Sequence, residues 1–135
     1  MTTPTDRRTF LAAATATTAT AVPAAANSAP QKYPRLAHHV FFWLKNPQST
    51  ADRDRLLAGL RTLEKIETVR GTHFGVPAST EKRDVVDNSY SVSEILFFDD
   101  VAGQNAYQEH PIHKQFIADC SHLWSKVVVY DTIAA

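Results

Sequence analysis

A single cysteine, Cys120, in 135 residues excludes an intrachain disulfide. Its apolar neighbours mark it as a small buried side chain rather than a nucleophile, with pairing between chains the only other use left open. An excess of either charge is also missing. Fourteen Lys and Arg offset fourteen Asp and Glu, and no basic stripe with interleaved aromatics occurs, so neither nucleic acid nor an anionic membrane surface is an expected partner. Long hydrophobic runs are lacking too: the Ala and Thr of positions 12–21 are too few and too polar to hold a hydrocarbon core of about 30 Å. What is present is enough for the core of one domain, with 44% hydrophobic and 10% aromatic residues.

The first 26 residues differ in kind from the rest. Arg7-Arg8-Thr9-Phe10-Leu11, a weakly apolar Ala/Thr segment and Ala24-Ala25-Ala26 resemble a twin-arginine signal peptide cut after Ala26, which implies export to the periplasm or beyond and no membrane attachment after cleavage. Its removal takes Asp6, Arg7 and Arg8, leaving 12 basic and 13 acidic residues and a net charge of −1. Residues 27–35, with Pro30 and Pro34, form an extended linker, and the domain occupies 36–135.

Leu36 to Lys45 has strand composition. His38, Val40, Phe42 and Leu44 fall on one side and His39, Phe41 and Trp43 on the other, so both faces demand cover. Helices from so short a chain can cover one face, and a second copy of the sheet is the simplest cover for the other. Ser49 and Asp52 predict a helix start near position 50, with Leu56, Leu57, Leu60, Leu63 and Ile66 at helical spacing. Val69–Val76 is a second strand in which Gly71 and Gly75 suggest a bulge or a close backbone approach. Residues 77–89 make a polar loop long enough to act as a lid. Tyr90–Phe98 is a third strand whose apolar side is interrupted by Glu94. Asp99-Asp100 caps a helix over 101–110, Pro111 restarts it to about Trp124, and Lys126–Ile133 closes the domain.

The order β-α-β-β-α-β is that of the ferredoxin-like α+β fold, a four-stranded antiparallel sheet with its helices on one face. Chemistry is concentrated in Tyr107-Gln108-Glu109-His110-Pro111-Ile112-His113. His113 heads an apolar stripe through Phe116, Ile117, Cys120, Leu123 and Trp124. Desolvation there keeps the imidazole neutral and available as a base, and a tyrosine beside it orients it or supplies a donor for a developing oxyanion. The bland alternative is a satisfied structural pair. His38, opening a strand, reads by itself as a sheet-edge residue. His110 and His113 form an H-x-x-H pair, but neither His122 nor Glu94 completes a recognisable ligand spacing and Pro111 disturbs the shared face, so no metal is expected. His110 is expected to cap the helix junction, and His39 and His73 to lie on the barrel face or the surface. Phe41, Phe42 and Trp43 are taken as packing residues, and no cofactor is implied.

Several of these segments together resemble the stress-responsive A/B barrel (Dabb) family over roughly residues 36 to 133. They are His38-His39-Val40-Phe41, Leu44-Lys45, Tyr90, Phe98-Asp99-Asp100, Tyr107-x-x-His110-Pro111-x-His113, Phe116 and Val129-Tyr130-Asp131. The resemblance implies a homodimeric α/β barrel, and the aromatics that the first strand would otherwise leave wet, Phe41 and Trp43, place the dimer interface on that face. In members of the olivetolic acid cyclase type, which perform aldol cyclisation of polyketides without metal or organic cofactor, residues matching Tyr107 and His113 do the acid–base work and one matching His38 lines the pocket. A pocket histidine of those cyclases aligns with Val92, a departure that changes the expected substrate, and Glu94 two residues on restores polarity. The expected site is therefore His113 and Tyr107 as catalytic pair, with His38, Glu94, Val92 and Phe42 against a small apolar ligand. The alternative is a non-catalytic stress-response dimer in which Phe116, Trp124 and Leu96 fill that space.

Overall fold

The computed structural model describes residues 33–135, together with 15–19 and 21. The twin arginines, the cleavage site after Ala26 and linker positions 27–32 lie outside the described residues. Four strands form one sheet: β1 (Leu36–Leu44), β2 (Gly71–Gly75), β3 (Val92–Phe98) and β4 (Trp124–Ile133). Their spatial order is β2-β3-β1-β4, and each neighbouring pair is antiparallel. Among the described residues three α-helices are interleaved: α1 (Thr50–Arg61), α2 (Val101–Glu109) and α3 (Pro111–Cys120). This is the ferredoxin-like α+β fold.

Local chemistry sets the helix starts. The Asp52 amide donates to the Ser49 hydroxyl at 3.1 Å and the Gly103 amide to the Asp100 carboxylate at 2.8 Å, so each cap satisfies an amide the helix leaves over. Pro111 occupies the first position of α3, where a missing amide hydrogen costs nothing. The α1 stripe behaves as its spacing requires, with Leu56 and Leu60 buried on the helix and Leu63 and Ile66 on the 3₁₀ turn and residue that follow. Gly59 marks the crossing of α1 and α3, because a Cβ there would lie 2.5 Å from Cys120 Sγ. Cys120 is buried, as its place on the stripe indicates.

The alternation in β1 holds along its whole length: Leu36, His38, Val40, Phe42 and Leu44 are buried against the helices. Residues between them face the other side, where Phe41 packs edge-on to Tyr90 and Tyr130 and Trp43 donates to the Ser89 hydroxyl at 3.0 Å. Among the described residues no helix covers this second face, and Tyr130 is 61% exposed on it.

Several boundaries differ from expectation for identifiable reasons. β3 begins at Val92 rather than Tyr90, because the Ser91 side chain takes over the bonding and accepts from the Leu44 amide at 3.1 Å. β4 begins at Trp124 rather than Lys126, since a register shift between Trp43 and Leu44 lets Leu44 pair with Trp124. The helical stripe therefore ends at Cys120 and Leu123, and Trp124 belongs to the sheet. β2 is shorter than Val69–Val76 and pairs with β3 without a bulge. Its glycines make room for side chains: a Cβ on Gly71 would come within 3.3 Å of the Phe97 ring, and one on Gly75 within 3.3 Å of the His73 ring.

Candidate functional site

A cavity of about 180 Å³ opens between the helix-facing side of the sheet and the α2–α3 junction. His38, Val40 and Phe42 of β1 and Glu94 of β3 form its floor. Tyr107, Gln108, His113, Phe116 and Ile117 form the helical wall, and Trp124, Val127 and Val129 of β4 line the remaining side. The last two valines are over 40% exposed, because the helices do not reach across the edge strand. A larger hollow of about 330 Å³ beside Pro47, Arg53 and Tyr90 contains neither an imidazole nor a carboxylate. Chemistry therefore favours the smaller space.

Five of the residues expected around a ligand meet here: His113, Tyr107, His38, Glu94 and Phe42. Val92 does not. It is fully buried in the core and contributes no wall to the cavity, because its position at the start of β3 puts it beyond Glu94, opposite Phe42. The loop of 77–89 contributes nothing either, so it is no lid for this space. Its Asp87 and Ser89 border a hollow on the open face of the sheet instead.

The break between α2 and α3 orients His113. With Pro111 unable to donate, the chain turns at His110, whose Nδ1 accepts from the Ile112 amide at 3.1 Å and whose Nε2 donates to Glu67 at 3.1 Å. His110 is thus the cap of α3. His113, one turn on, donates from Nδ1 to the Gln108 carbonyl at 3.1 Å. That bond fixes the tautomer and leaves the Nε2 lone pair unprotonated. Burial, the largest influence, lowers the His113 pKa; the Gln108 bond raises it and nearby His38 lowers it further. The ring is accordingly neutral near pH 7.

Tyr107 stands between two imidazoles, its ring centre 4.5 Å from that of His113 and 5.7 Å from that of His38. It does not orient His113, a role taken by the Gln108 carbonyl. Its hydroxyl is hydrogen-bonded to the Glu94 carboxyl. Desolvation first, and Glu94 second, push the phenol upward, so it stays protonated and can donate. Glu94 is 1% exposed, and its burial raises its pKa to about 8, only partly opposed by the Tyr107 bond. It is mainly a neutral acid at pH 7 and does not draw His113 towards the charged form.

His38 is not at a sheet edge: β1 is an interior strand, and the ring is buried. Its Nδ1 donates to Asp131 Oδ1 at 2.5 Å, across the directly opposed pair His38 and Asp131 of β1 and β4. Asp131 is the partner that sequence reasoning missed. The available signal was a lone carboxylate on the same side as Val127 and Val129 in an otherwise apolar strand. Among the described residues no group of three His, Cys, Asp or Glu is placed to hold a metal ion, and His110 and His113 direct their bonds to different partners. No helix among them is long and apolar enough to cross a membrane.

Fold and cavity together define a ferredoxin-like domain with an imidazole and phenol pair set into the gap between sheet and helices. The model of the Stress responsive A/B Barrel Domain, Dabb, matches residues 36–134, and the chain belongs to that family. No curated protein matches it. Among solved structures it is similar to a Dabb family protein with a ferredoxin-like fold from Mesorhizobium loti (24% identity, TM-score 0.61, covering 74% of this chain and 96% of that one). It is also similar to a hydroxynitrile lyase from Passiflora edulis (20%, 0.64, 76% and 94%) and to a dimeric ferredoxin-like protein of unknown function from Thermobifida fusca (17%, 0.60, 76% and 92%). Identities at this level establish the fold.

Proposed function

We propose that this Dabb-domain protein is an exported homodimer that binds a small apolar molecule beside Tyr107 and His113 and carries out cofactor-free proton transfer there. One observation carries the proposal: a neutral His113 with a free Nε2 and a protonated Tyr107 share the wall of one cavity. In such a step Nε2 takes a proton from carbon next to a ligand carbonyl. The C–H electron pair becomes the new C=C bond as the carbonyl π pair moves onto oxygen to give an enolate held by a donor hydrogen bond, and the imidazolium returns the proton to carbon or to the product oxygen. Phe116 and Trp124 line the cavity without filling it, which favours this over a purely structural role. The hydroxynitrile lyase among the structural neighbours supports enzymatic use of the fold only by analogy. The almost complete burial of Tyr107 favours the second reading, a non-catalytic stress-response dimer, for that residue in particular.

The dimer rests on the uncovered aromatic face of the sheet and on the dimeric neighbours of the same fold. Export rests on Arg7-Arg8 and the small residues to Ala26; with both arginines replaced by lysine the precursor is expected to stay uncleaved inside the cell, and unchanged processing refutes it. The test of the pocket is a ligand screen by thermal shift on residues 27–135, repeated with His113→Ala. If no small apolar compound raises Tm, ligand binding at this cavity is refuted.

A further inference from the structure

Of the side-chain polar atoms buried among the described residues, only Thr68 Oγ1 and Glu94 Oε1 lack a hydrogen-bond partner. Glu94 is the one in the cavity wall. A buried polar atom without a partner is costly, and at a cavity wall the natural remedy is a group on the ligand. Proton counting shows which group. A neutral carboxyl and a phenol carry two protons between them, and one is consumed in the bond that joins Glu94 to Tyr107. The other points away from that bond, on Oε1 if the phenol donates to the carboxyl, or on the phenol if the carboxyl donates to it. Either way the couple offers one donor proton and at least one acceptor lone pair to whatever occupies the cavity.

We propose that Glu94, through its bond to Tyr107, determines ligand specificity by selecting molecules that bring an acceptor oxygen, such as a ketone or aldehyde carbonyl, over hydrocarbons of the same shape. The inference rests on the cavity being a ligand site and deepens that reading. The other titratable groups around the carboxyl are Tyr107 from α2, His38 from β1, His113 from α3 and Asp131 from β4. Val40 and Phe74 stand opposite it in the flanking strands, and no Lys or Arg lines the cavity. Among the described residues no Lys or Arg is therefore at hand to hold Glu94 ionised. Once Glu94 ionises, the sole remaining proton of the couple is drawn into the bond between its members and the cavity loses its donor. Selectivity for a carbonyl should thus decay as pH rises through about 8, where the buried carboxyl titrates.

Acetophenone and ethylbenzene are suitable probes, since an apolar cavity of about 150 Å³ accommodates benzene and this one is slightly larger. The quantity to follow is the ratio of their affinities, by titration calorimetry on the wild type, Glu94→Leu and Glu94→Gln at pH 6.5 and pH 10. In the wild type at pH 6.5 the ratio should favour acetophenone by roughly tenfold more than in Glu94→Leu. At pH 10 the wild-type ratio should fall towards that of Glu94→Leu, while Glu94→Gln, whose amide donates at any pH, should keep its ratio. Ethylbenzene and acetophenone both binding, with a ratio indifferent to Glu94→Leu or to pH, overturns this inference and leaves the ligand site standing. Failure of both probes to bind the wild type overturns the ligand site and this inference with it.

Discussion

The two faces of β1 are built from similar residues and meet different fates. On the covered side, His38 is buried and bonded to Asp131, beside Tyr107 and Glu94. On the open side, His39 lies 4.2 Å from the Phe41 ring with His73 nearby, and burial lowers its pKa, with His73 and His38 adding to the effect. Both faces hold an imidazole among aromatics, yet only the covered one joins a phenol, an acid and an imidazole of fixed tautomer in one cavity. Residue type is therefore not what makes a site. Three layers of chain converging on one space, sheet, helix junction and edge strand, are.

The sharpest way to break this contrast is to remove the base. His113→Ala should lower turnover of any substrate found by about 10² to 10⁴ while leaving the fold intact, as measured by kcat/KM and circular dichroism. His39→Ala, on the open face, should leave turnover within a few fold. Unfolding of His113→Ala, or undiminished turnover, would make His113 structural. Tyr107→Phe should cost less activity, since it deletes one hydroxyl, but should also destabilise the domain by about 1–3 kcal/mol because Glu94 then loses its partner.

On the open face the corresponding break is Trp43→Glu. A patch of roughly several hundred Å² centred on Phe41 and Trp43 is expected to be covered by a second copy. The charge should convert dimers to monomers or aggregates in sedimentation at micromolar concentration, and a well-folded wild-type monomer there would refute the dimer.

The third effect is a pH drift of stability that belongs to the covered face alone. Glu94 has its pKa raised from 4.5 to about 8 on folding, so the folded state holds more protons between those values. Its contribution is complete below about pH 4.5 and is lost as pH rises through 8, amounting to a few kcal/mol. His113, with a lowered pKa, works in the opposite sense and favours the folded state as pH rises towards 6.5. Glu94→Gln should flatten the decline from pH 6.5 to 8.5 in urea titrations, where His113 no longer contributes. An unaltered decline would show that Glu94 is not its source.

The smallest effect concerns the crossing that backs the helical wall. Gly59→Ala forces a methyl against Cys120 Sγ and should cost about 1–3 kcal/mol. Adding Cys120→Ala should recover part of it, and a Gly59→Ala protein as stable as wild type would show that the helices shift apart freely.

Much of the architecture was legible in local pattern. The two-residue period of β1, the leucine spacing of α1, the Ser49 and Asp100 caps and the proline restart at 111 each specify an element through neighbours a few residues away. The Dabb resemblance, carried by the Tyr107 to His113 segment, also pointed to three of the residues that meet in the cavity, Tyr107, His113 and His38. Other features depended on register between distant segments. The pairing of Leu44 with Trp124 moved the start of β4, the Ser91 side chain delayed the start of β3, and the shared cross-strand position of His38 and Asp131 made a dyad of residues 93 apart. Val92 lies in the sealed core rather than in the cavity wall for the same kind of reason, since its place along the strand decides between the two.

By itself the sequence determined the order of elements, their faces and the chemical types available, because periodicity, caps and proline act over a few residues. Tertiary structure alone decided that Tyr107 bonds Glu94 rather than His113, that the Gln108 carbonyl sets the imidazole tautomer, and that a space is left between them. Hydrogen-bond partners and voids are settled by packing across strands and helices, where a shift of one residue or one ångström changes which atoms meet.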